Sequence, residues 1–236
     1  MVTKTLRKIY YRIIGCLVRR KYQRICVGKN SFVDNTVQVF GWNNTLIGEN
    51  TSVGEGSVLI VNNRTTTSEK KIVIGDKCII GRNNFFSAGN SIRLREYVMT
   101  TYGCRFLGAN HHFNDPSQPY ILTGVSNEND IYIGVNCWIG FGVTVIGNVR
   151  IGHGSVIGAD SLISKDVPPF SVVIGNPQRI IRRYDFNKKE WRKVSESDEN
   201  DYNQPTEEAY LEMLRSTYPH IPVAYHASSR MFGDLQ

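Results

Sequence analysis

The chain has 236 residues, enough for one main domain with appendages, and 41% of them are hydrophobic, enough for a core of ordinary size. Its apolar stretches all fall short of the roughly 18 residues that a transmembrane helix needs, so a membrane-spanning protein is not expected. The formal net charge is +7 at pH 7, and every charged residue before Asp34 is Lys or Arg.

This basic N-terminal segment predicts an amphipathic helix within residues 1–26. Leu6 and Ile13 lie on its apolar face, and Arg12 lies on the opposite, basic face. Two roles stay open for it: contact of residues 4–24 with an anionic membrane surface, or a cap on the open end of the following fold. Because Arg12 interrupts the apolar run, the segment does not resemble a secretory signal. We expect a cytoplasmic protein, with peripheral contact to a membrane as the alternative that this helix suggests.

The central part of the chain repeats with a period of six residues. Residues 133–168 read IGVNCW IGFGVT VIGNVR IGHGSV IGADSL ISKDVP, and each hexad opens with Ile or Val. This period fits neither a helix at 3.6 nor a strand at 2, and tandem short repeats are typical of a solenoid. The first residue and the small fifth residue of each hexad should face inward, and a second-position Gly should allow the corner through φ > 0. Three hexads then form one coil of a parallel β-helix.

The same phase recurs upstream in hexads that start at Val27, Ile47 and Ile74. Two polar stretches interrupt it, at residues 61–71 and about 108–130. Breaks in a solenoid are loops that leave one corner, and such loops commonly carry function. We therefore expect the longer insertion to carry functional residues.

The domain boundaries follow from where the repeats begin and end. Residues 27–175 are predicted to form the β-helix, and residues 176–236 a C-terminal extension with short helices. One helix is expected over 186–194, and another from near Pro205 that Pro219 ends.

The five cysteines are odd in number and show no CxxC spacing. Cys78, Cys104 and Cys137 fall at the inward fifth position of their hexads, which predicts reduced thiols in the core of a cytosolic protein. A zinc cluster is not expected. Nucleic-acid binding is not expected either, because the basic residues lie in one helix without a recognised binding fold.

With these features the chain resembles the hexapeptide-repeat acyltransferases, and within them the sugar and xenobiotic O-acetyltransferases. The resemblance covers about residues 27–183. It depends on the loop GANHHFNDPSQPY (108–120), the repeats of residues 131–169 and the exit VVIGNPQRIIRR (172–183). It implies an all-β, left-handed parallel β-helix with an inserted catalytic loop, and a homotrimer. The left hand comes from the resemblance alone, because crossovers between parallel strands are usually right-handed.

Acetyl transfer to a hydroxyl needs a base for the hydroxyl proton, and His is the side chain whose pKa lies closest to neutral pH. Of the five histidines, His111 and His112 lie in the inserted loop. The resemblance of Gly-Ala-Asn-His to the family pattern places the general base at His111. His112 is a candidate for the acceptor pocket. His153, at an outward third position, is expected at the surface.

The resemblance also implies that acetyl-CoA binds as co-substrate in a groove completed by a second subunit, with no metal required. Trp138 would line the pantetheine channel, and the alternative for it is simple packing. Further donor contacts fall on the backbone of Phe141 and Ala159, and on Ser164, Lys165, Arg179 and Arg182; at Phe141 only the main chain is implicated. The arginines suit the phosphates of coenzyme A, although a solvated basic patch would have the same composition. Position alone makes Asn84, Asn90 and Asp115 further acceptor candidates.

The predicted function is transfer of acetyl from acetyl-CoA to a sugar hydroxyl of a bacterial surface polysaccharide (O-antigen, capsule or exopolysaccharide) or its precursor. The alternatives are an antibiotic O-acetyltransferase of the streptogramin or chloramphenicol type, and an N-acetyltransferase of a nucleotide amino-sugar. A non-catalytic β-helix scaffold and a γ-type carbonic anhydrase are alternatives from other classes. The last needs three converging histidines, and His111, His112 and His153 fit this poorly, because sequence neighbours rarely bind one metal together.

Overall fold

The computed structural model describes residues 21–22, 24–62, 69–194 and 203–219. The strands are β1 Phe32–Val33, β2 Gln38–Phe40, β3 Thr45–Ile47, β4 Ser52–Val53, β5 Val58–Val61, β6 Ile72–Ile74, β7 Ile79–Ile80, β8 Phe85–Ala88, β9 Ser91–Leu94, β10 Met99–Thr100, β11 Arg105–Leu107, β12 Asn110–His111, β13 Val125–Ser126, β14 Asp130–Ile133, β15 Trp138–Ile139, β16 Thr144–Ile146, β17 Val149–Ile151, β18 Val156–Ile157, β19 Leu162–Ile163, β20 Ser171–Ile174, β21 Arg179–Asp185 and β22 Glu190–Lys193. Two 3₁₀ turns span Trp42–Asn44 and Tyr120–Leu122, and helix α1 spans Glu207–Thr217.

Successive strands belong to three different sheets, so the chain winds around a three-sided prism. Sheet A contains β3, β6, β9, β14 and β17; sheet B contains β1, β4, β7, β10, β15, β18 and β20; and sheet C contains β2, β5, β8, β11, β16 and β19. Pairing between coils is parallel, as for Met99 with Trp138 in sheet B. We name the corners after the sheets that they join, in chain order AB, BC and CA. This is the predicted parallel β-helix, and it is left-handed.

Side chains at the first and fifth hexad positions point into the core, as the six-residue period predicts. The first residues Ile133, Ile139 and Ile151 are fully buried, and so are the fifth-position residues Cys137 and Ser155. Because each coil buries these side chains on the coils above and below, the core is continuous along the prism.

Fifth-position side chains also satisfy buried carbonyl groups of the next coil. The Thr51 hydroxyl donates to the Gly75 carbonyl at 2.7 Å, and the Cys137 thiol donates to the Gly152 carbonyl at 3.2 Å. Burial raises the pKa of Cys137 to about 12, so this thiol stays protonated. The four described cysteines are all buried and free, which confirms the expected core position of Cys104 and its equivalents.

Glycine is needed at the second hexad position for a different reason from the expected positive φ angle. A Cβ on Gly28 would lie 2.5 Å from the Gly48 carbonyl carbon of the next coil, so glycine permits the close approach of two corners. The positive φ angles fall instead on the fourth position, as at Gly142 (66°) and Asn136 (55°). The corner thus turns two residues later than predicted.

The C-terminal extension departs from the sequence prediction in one element. The helix expected over 186–194 is wrong: β21 pairs antiparallel with β20 and then with β22. Tyr184 pairs with Trp191 across this hairpin, with ring centroids 5.3 Å apart, and the hairpin covers the open edge of sheet B. The helix expected from near Pro205 is present as α1, which begins after its N-cap Thr206.

The predicted N-terminal helix lies mostly outside the described residues; residues 21, 22 and 24–26 are helical. Within the part of the chain that the structure describes, no helix is long and apolar enough to span a membrane.

Candidate functional site

His111 lies on a short two-stranded arm that leaves the CA corner. In this arm β12 pairs antiparallel with β13, and His111 pairs with Val125. Two bonds hold the base of the arm: Asn129 Nδ2 donates to the Gly108 carbonyl at 2.9 Å, and the Asn90 amide donates to the Asn129 carbonyl at 3.0 Å. The His111 side chain is exposed on this anchored arm, so it can contact a bound molecule.

The far end of the inserted loop presents large apolar side chains to solvent. Phe113, Ile121 and Leu122 are 70%, 84% and 72% exposed, and Tyr120 beside them is also exposed. We call these four residues the loop tip. Several large apolar side chains exposed on one loop of a single chain are typical of a contact surface.

A second exposed apolar cluster lies on sheet B and the BC corner of two consecutive coils. Met99 pairs with Trp138 along sheet B, and the rings of Tyr102 and Phe141 stack with centroids 5.6 Å apart and an interplanar angle of 9°. Asn83 Nδ2 fixes the Tyr102 hydroxyl at 2.7 Å. We call Met99, Tyr102, Trp138 and Phe141 the aromatic patch. Trp138 is 48% exposed, so it lies on the outer wall and not in the core.

The other candidates for donor binding lie on later coils, and of these Ser164 and Lys165 follow β19 of sheet C and so lie at the CA corner. Ala159 is exposed at the BC corner one coil above Phe141. The amides of Ser164 and Lys165 both donate to Gln178 Oε1, at 2.8 and 3.0 Å. Those two amides are therefore engaged within the chain, and their exposed side chains remain accessible to a ligand.

Arg179 and Arg182 lie on β21, and both side chains are exposed. Arg182 pairs with Val172 of β20 on one side and with Lys193 of β22 on the other. The end of sheet B beyond the last coil therefore presents several cations on paired strands, a suitable place for the phosphate groups of a ligand.

The acceptor candidates separate into buried and exposed positions. Asn84 is buried in the core, where its Nδ2 donates to the Thr101 carbonyl at 2.7 Å, so its assignment as an acceptor residue is wrong. Asn84 is buried because it occupies the inward fifth position of the hexad IGRNNF.

Asp115 is exposed, and hydrogen bonds from the Ser117 hydroxyl and amide lower its pKa. His112 is exposed beside His111, and Asn90 lies at the CA corner.

His153 is not the surface residue that its outward position suggested. Helix α1 and the chain before it cover the AB corner, so that His153 is 6% exposed. Its Nε2 lies 3.0 Å from the Pro205 carbonyl, and its ring packs against Phe170 and Tyr210. The inserted loop with His111 and His112 leaves from the CA corner, whereas His153 lies at the AB corner, so within the described residues these three histidines do not come together and no group of three metal-binding side chains is found.

Sequence reasoning missed Tyr102 and Met99, although a signal for both was present. They occupy the same hexad positions as Phe141 and Trp138 one coil earlier, so stacking of consecutive coils predicts that the four lie together.

Sequence reasoning also missed Glu207, whose Oε1 accepts from the Val135 amide at 2.8 Å at the AB corner. Nothing local in the sequence indicates this contact, because 72 residues separate the partners.

Comparisons with known proteins agree with this architecture, although no family model matches the chain. Over 114 residues (48% of this chain), the sequence is 35% identical to a protein named as an acetyltransferase in Staphylococcus aureus, of which 56% is covered. It is 33% identical to a chloramphenicol acetyltransferase of Agrobacterium fabrum over 114 residues, 48% of this chain and 52% of that protein. The chain thus spans about half the length of the curated relatives that it matches.

Among solved structures, the fold is similar to that of AntD, an N-acyltransferase from Bacillus cereus crystallised with dTDP and coenzyme A. The TM-score is 0.58 at 20% identity, and the match covers 70% of this chain and 88% of that one. At this identity the similarity concerns the fold alone. Together with the sequence relatives, it confirms the resemblance to acyltransferases that the repeats indicated.

Proposed function

We propose that this chain, which has the fold of the hexapeptide-repeat acyltransferases, is an O-acetyltransferase that moves acetyl from acetyl-CoA to a sugar hydroxyl. The proposed acceptor class is a bacterial surface polysaccharide or its precursor. The observation that carries the proposal is the exposed His111, held on an anchored arm that leaves a β-helix related in sequence to proteins named acetyltransferases.

In the proposed reaction the His111 imidazole accepts the proton of the acceptor hydroxyl. The hydroxyl oxygen attacks the thioester carbonyl, the C–S bond breaks, and the imidazolium returns its proton to the departing thiolate of coenzyme A. Attack is direct, so a cysteine nucleophile is not needed. The described thiols suit this, since Cys104 is fully buried and burial raises its pKa, which keeps it from acting as a thiolate.

The donor is proposed to lie along the BC corner and the last coil. Arg179 and Arg182 would bind the phosphate groups at one end, and the acetyl group would then point towards Trp138 and Phe141 at the other. The exposed side chains of Arg179, Arg182 and Trp138, and the exposed position of Phe141 at the corner, support this arrangement. Ala159 lies between the two ends, where a small side chain leaves the corner open to an extended ligand.

Two exposed apolar surfaces support a homotrimer with shared sites. The loop tip and the aromatic patch leave the prism at different corners, CA and BC, and each exposes large side chains in the single chain. If the loop tip of one subunit packs on the aromatic patch of the next, the contact is head-to-tail and closes into a ring of three. Each site would then combine His111 of one subunit with the donor groove of its neighbour.

A chloramphenicol-type O-acetyltransferase is the second candidate, and the Agrobacterium fabrum relative favours it. Both candidates use the same base and donor and differ only in the acceptor. For either, we propose a cytoplasmic location, and contact with the inner membrane through residues 4–24 would suit work on lipid-linked glycans.

The experiment that tests the function is an acceptor screen with purified protein and acetyl-CoA. It compares defined oligosaccharides, nucleotide amino-sugars and hydroxylated antibiotics, and it follows release of free coenzyme A. We expect release that depends on an oligosaccharide and that is absent in His111→Ala. Turnover with chloramphenicol alone would favour the second candidate, and no turnover with any acceptor would contradict both.

A further inference from the structure

A polar groove that no step above uses runs along the CA corner, beside the base of the His111 arm. It forms a cavity of about 430 Å³. Five successive coils contribute one corner residue each: Glu69, Asn90, Asp130, Asn148 and Asp166. Since neighbouring strands lie about 4.8 Å apart, these five coils give the groove a length of about 19 Å. We call it the CA groove.

The lining of the CA groove offers both donors and acceptors. The Asp130 carboxylate accepts from Asn90 Nδ2 at 2.9 Å, and one Asp166 oxygen accepts from the Arg150 amide at 2.8 Å. Arg93 lines the groove with an exposed guanidinium, and it has no hydrogen-bond or ion-pair partner within the described part of the chain. The groove thus contains one unengaged cation among several carboxylates and amides.

The second cation of the groove is already occupied. The Arg150 guanidinium lies 3.9 Å from the centre of the Tyr132 ring, and its Nη2 donates to Glu207 Oε2 at 3.2 Å. Tyr132 donates its hydroxyl to the same carboxylate at 2.7 Å. Burial, together with this bond, raises the pKa of Tyr132 and keeps its hydroxyl protonated. Helix α1 therefore makes this wall of the groove rigid through Glu207.

The charge of the lining selects among acceptor classes. Three carboxylates and two guanidinium groups line the groove, and Lys71, whose Nζ lies 3.2 Å from Glu69 Oε2 and donates to Asn90 Oδ1 at 3.3 Å, adds a third cation at its edge. The groove is therefore close to neutral and lacks the excess of positive charge that would favour the diphosphate of a nucleotide-linked sugar. Vicinal hydroxyl groups can donate to carboxylates and accept from a guanidinium at the same time, and this lining offers both kinds of partner. A neutral glycan rich in hydroxyl groups fits best.

The distance to the proposed base indicates how much of the acceptor would reach the groove. His111 pairs with Val125, which lies five residues before Asp130. An extended arm of this length spans at most about 17 Å. A single sugar at His111 cannot also fill a groove of about 19 Å, whereas a chain of several sugars can occupy both.

We infer that the CA groove binds the remote sugar residues of a neutral oligosaccharide or polysaccharide whose reacting sugar lies at His111. This rests on the proposed acetyl transfer and sharpens it, since it makes the acceptor a glycan chain and not a nucleotide sugar. Arg93 is then a specificity-determining residue, which binds the acceptor without touching the reacting atoms.

The test measures binding by calorimetry and saturation-transfer NMR, without acetyl-CoA, for a panel of defined neutral glycans of one to four sugars, including glucose to maltotetraose. UDP is the anionic probe. We expect affinity to increase with chain length for at least one series, and Arg93→Ala to weaken the longer glycans roughly tenfold, the loss of one charge-assisted hydrogen bond. Arg105→Ala, which changes an exposed arginine of sheet C, should leave binding unchanged.

Three results would overturn the assignment. The first two are affinity that does not increase with chain length in any series and a gain with length that survives in Arg93→Ala. The third is saturable UDP binding that Arg93→Ala removes, which would favour a nucleotide site. His111→Ala separates this inference from the proposed reaction, because it should still bind the longer glycans. Glycan binding without turnover would support the groove as a glycan site and contradict the proposed reaction. Turnover that does not depend on chain length would support the reaction and contradict the groove as a glycan site.

Discussion

The BC and CA corners of the same prism differ in how far the chain follows its repeat. At the BC corner every turn of the chain from β7 to β19 follows the hexad, and equivalent residues of consecutive coils stack, as Tyr102 and Phe141 do. At the CA corner the chain departs twice, and the longer departure carries His111. Regular stacking produces an extended surface suited to a long, flexible ligand. An inserted loop that interrupts the repeat places a single reactive group, such as His111, at a position that the repeat itself cannot provide.

We propose that the acceptor is activated on the CA arm and that the donor binds mainly along the BC corner, and substitution can test this proposal. His111→Ala, at the CA side, should lower kcat by about 10²–10⁴, because a positioned general base is lost. Its stability should change by no more than about 0.5 kcal/mol, since the side chain is exposed. Steady-state kinetics and thermal unfolding measure both, with His112→Ala as the matched control. If His112→Ala were the inactive variant, the base would be the neighbouring residue.

Arg179→Ala or Arg182→Ala should raise KM for acetyl-CoA and leave KM for the acceptor unchanged. Loss of one phosphate contact corresponds to about 1.5–3 kcal/mol. The comparison donor is acetyl-pantetheine, which lacks the adenosine phosphates and should be almost insensitive to either change. Equal effects on both donors would show that the arginines act elsewhere.

Phe141→Ala should have the smallest effect on the chemistry, because the resemblance places only its main chain near the donor. It removes the stacked pair with Tyr102, a loss of about 0.5–1.5 kcal/mol within one chain. It also removes an apolar ring from the aromatic patch, which should weaken subunit association if the loop tip packs there. Sedimentation at decreasing concentration measures association. Unchanged association together with a large rise in KM for acetyl-CoA would mean that the ring contacts the donor.

The six-residue period predicted the features of the fold that depend only on one coil and its neighbours. It identified the inward positions of Ile139 and Cys137 correctly, because the direction of a side chain in a coil depends only on its place in the hexad. The same rule, applied to Asn84, would have placed that residue in the core and not at the acceptor site.

The period could not predict contacts with segments outside the repeat. His153 does point away from its coil, but Pro205 and Tyr210, more than 50 residues later, cover it. The segment 186–194 has no repeat to guide its interpretation, and the open edge of sheet B, not its own sequence, makes it a strand. The second-position glycines show a similar limit, because contact between coils explains Gly28 and one coil alone does not.

The central claim is that each site combines the CA arm of one subunit with the BC corner of another. It is tested most directly by co-expressing two inactive variants, His111→Ala and the double variant Arg179→Ala/Arg182→Ala, and assaying the mixed oligomers at limiting acetyl-CoA. The account predicts that activity returns, because some sites in a mixed trimer pair an intact His111 with an intact donor corner. Mixed oligomers that form but stay as inactive as either parent would contradict it, since base and donor groove would then have to belong to the same chain.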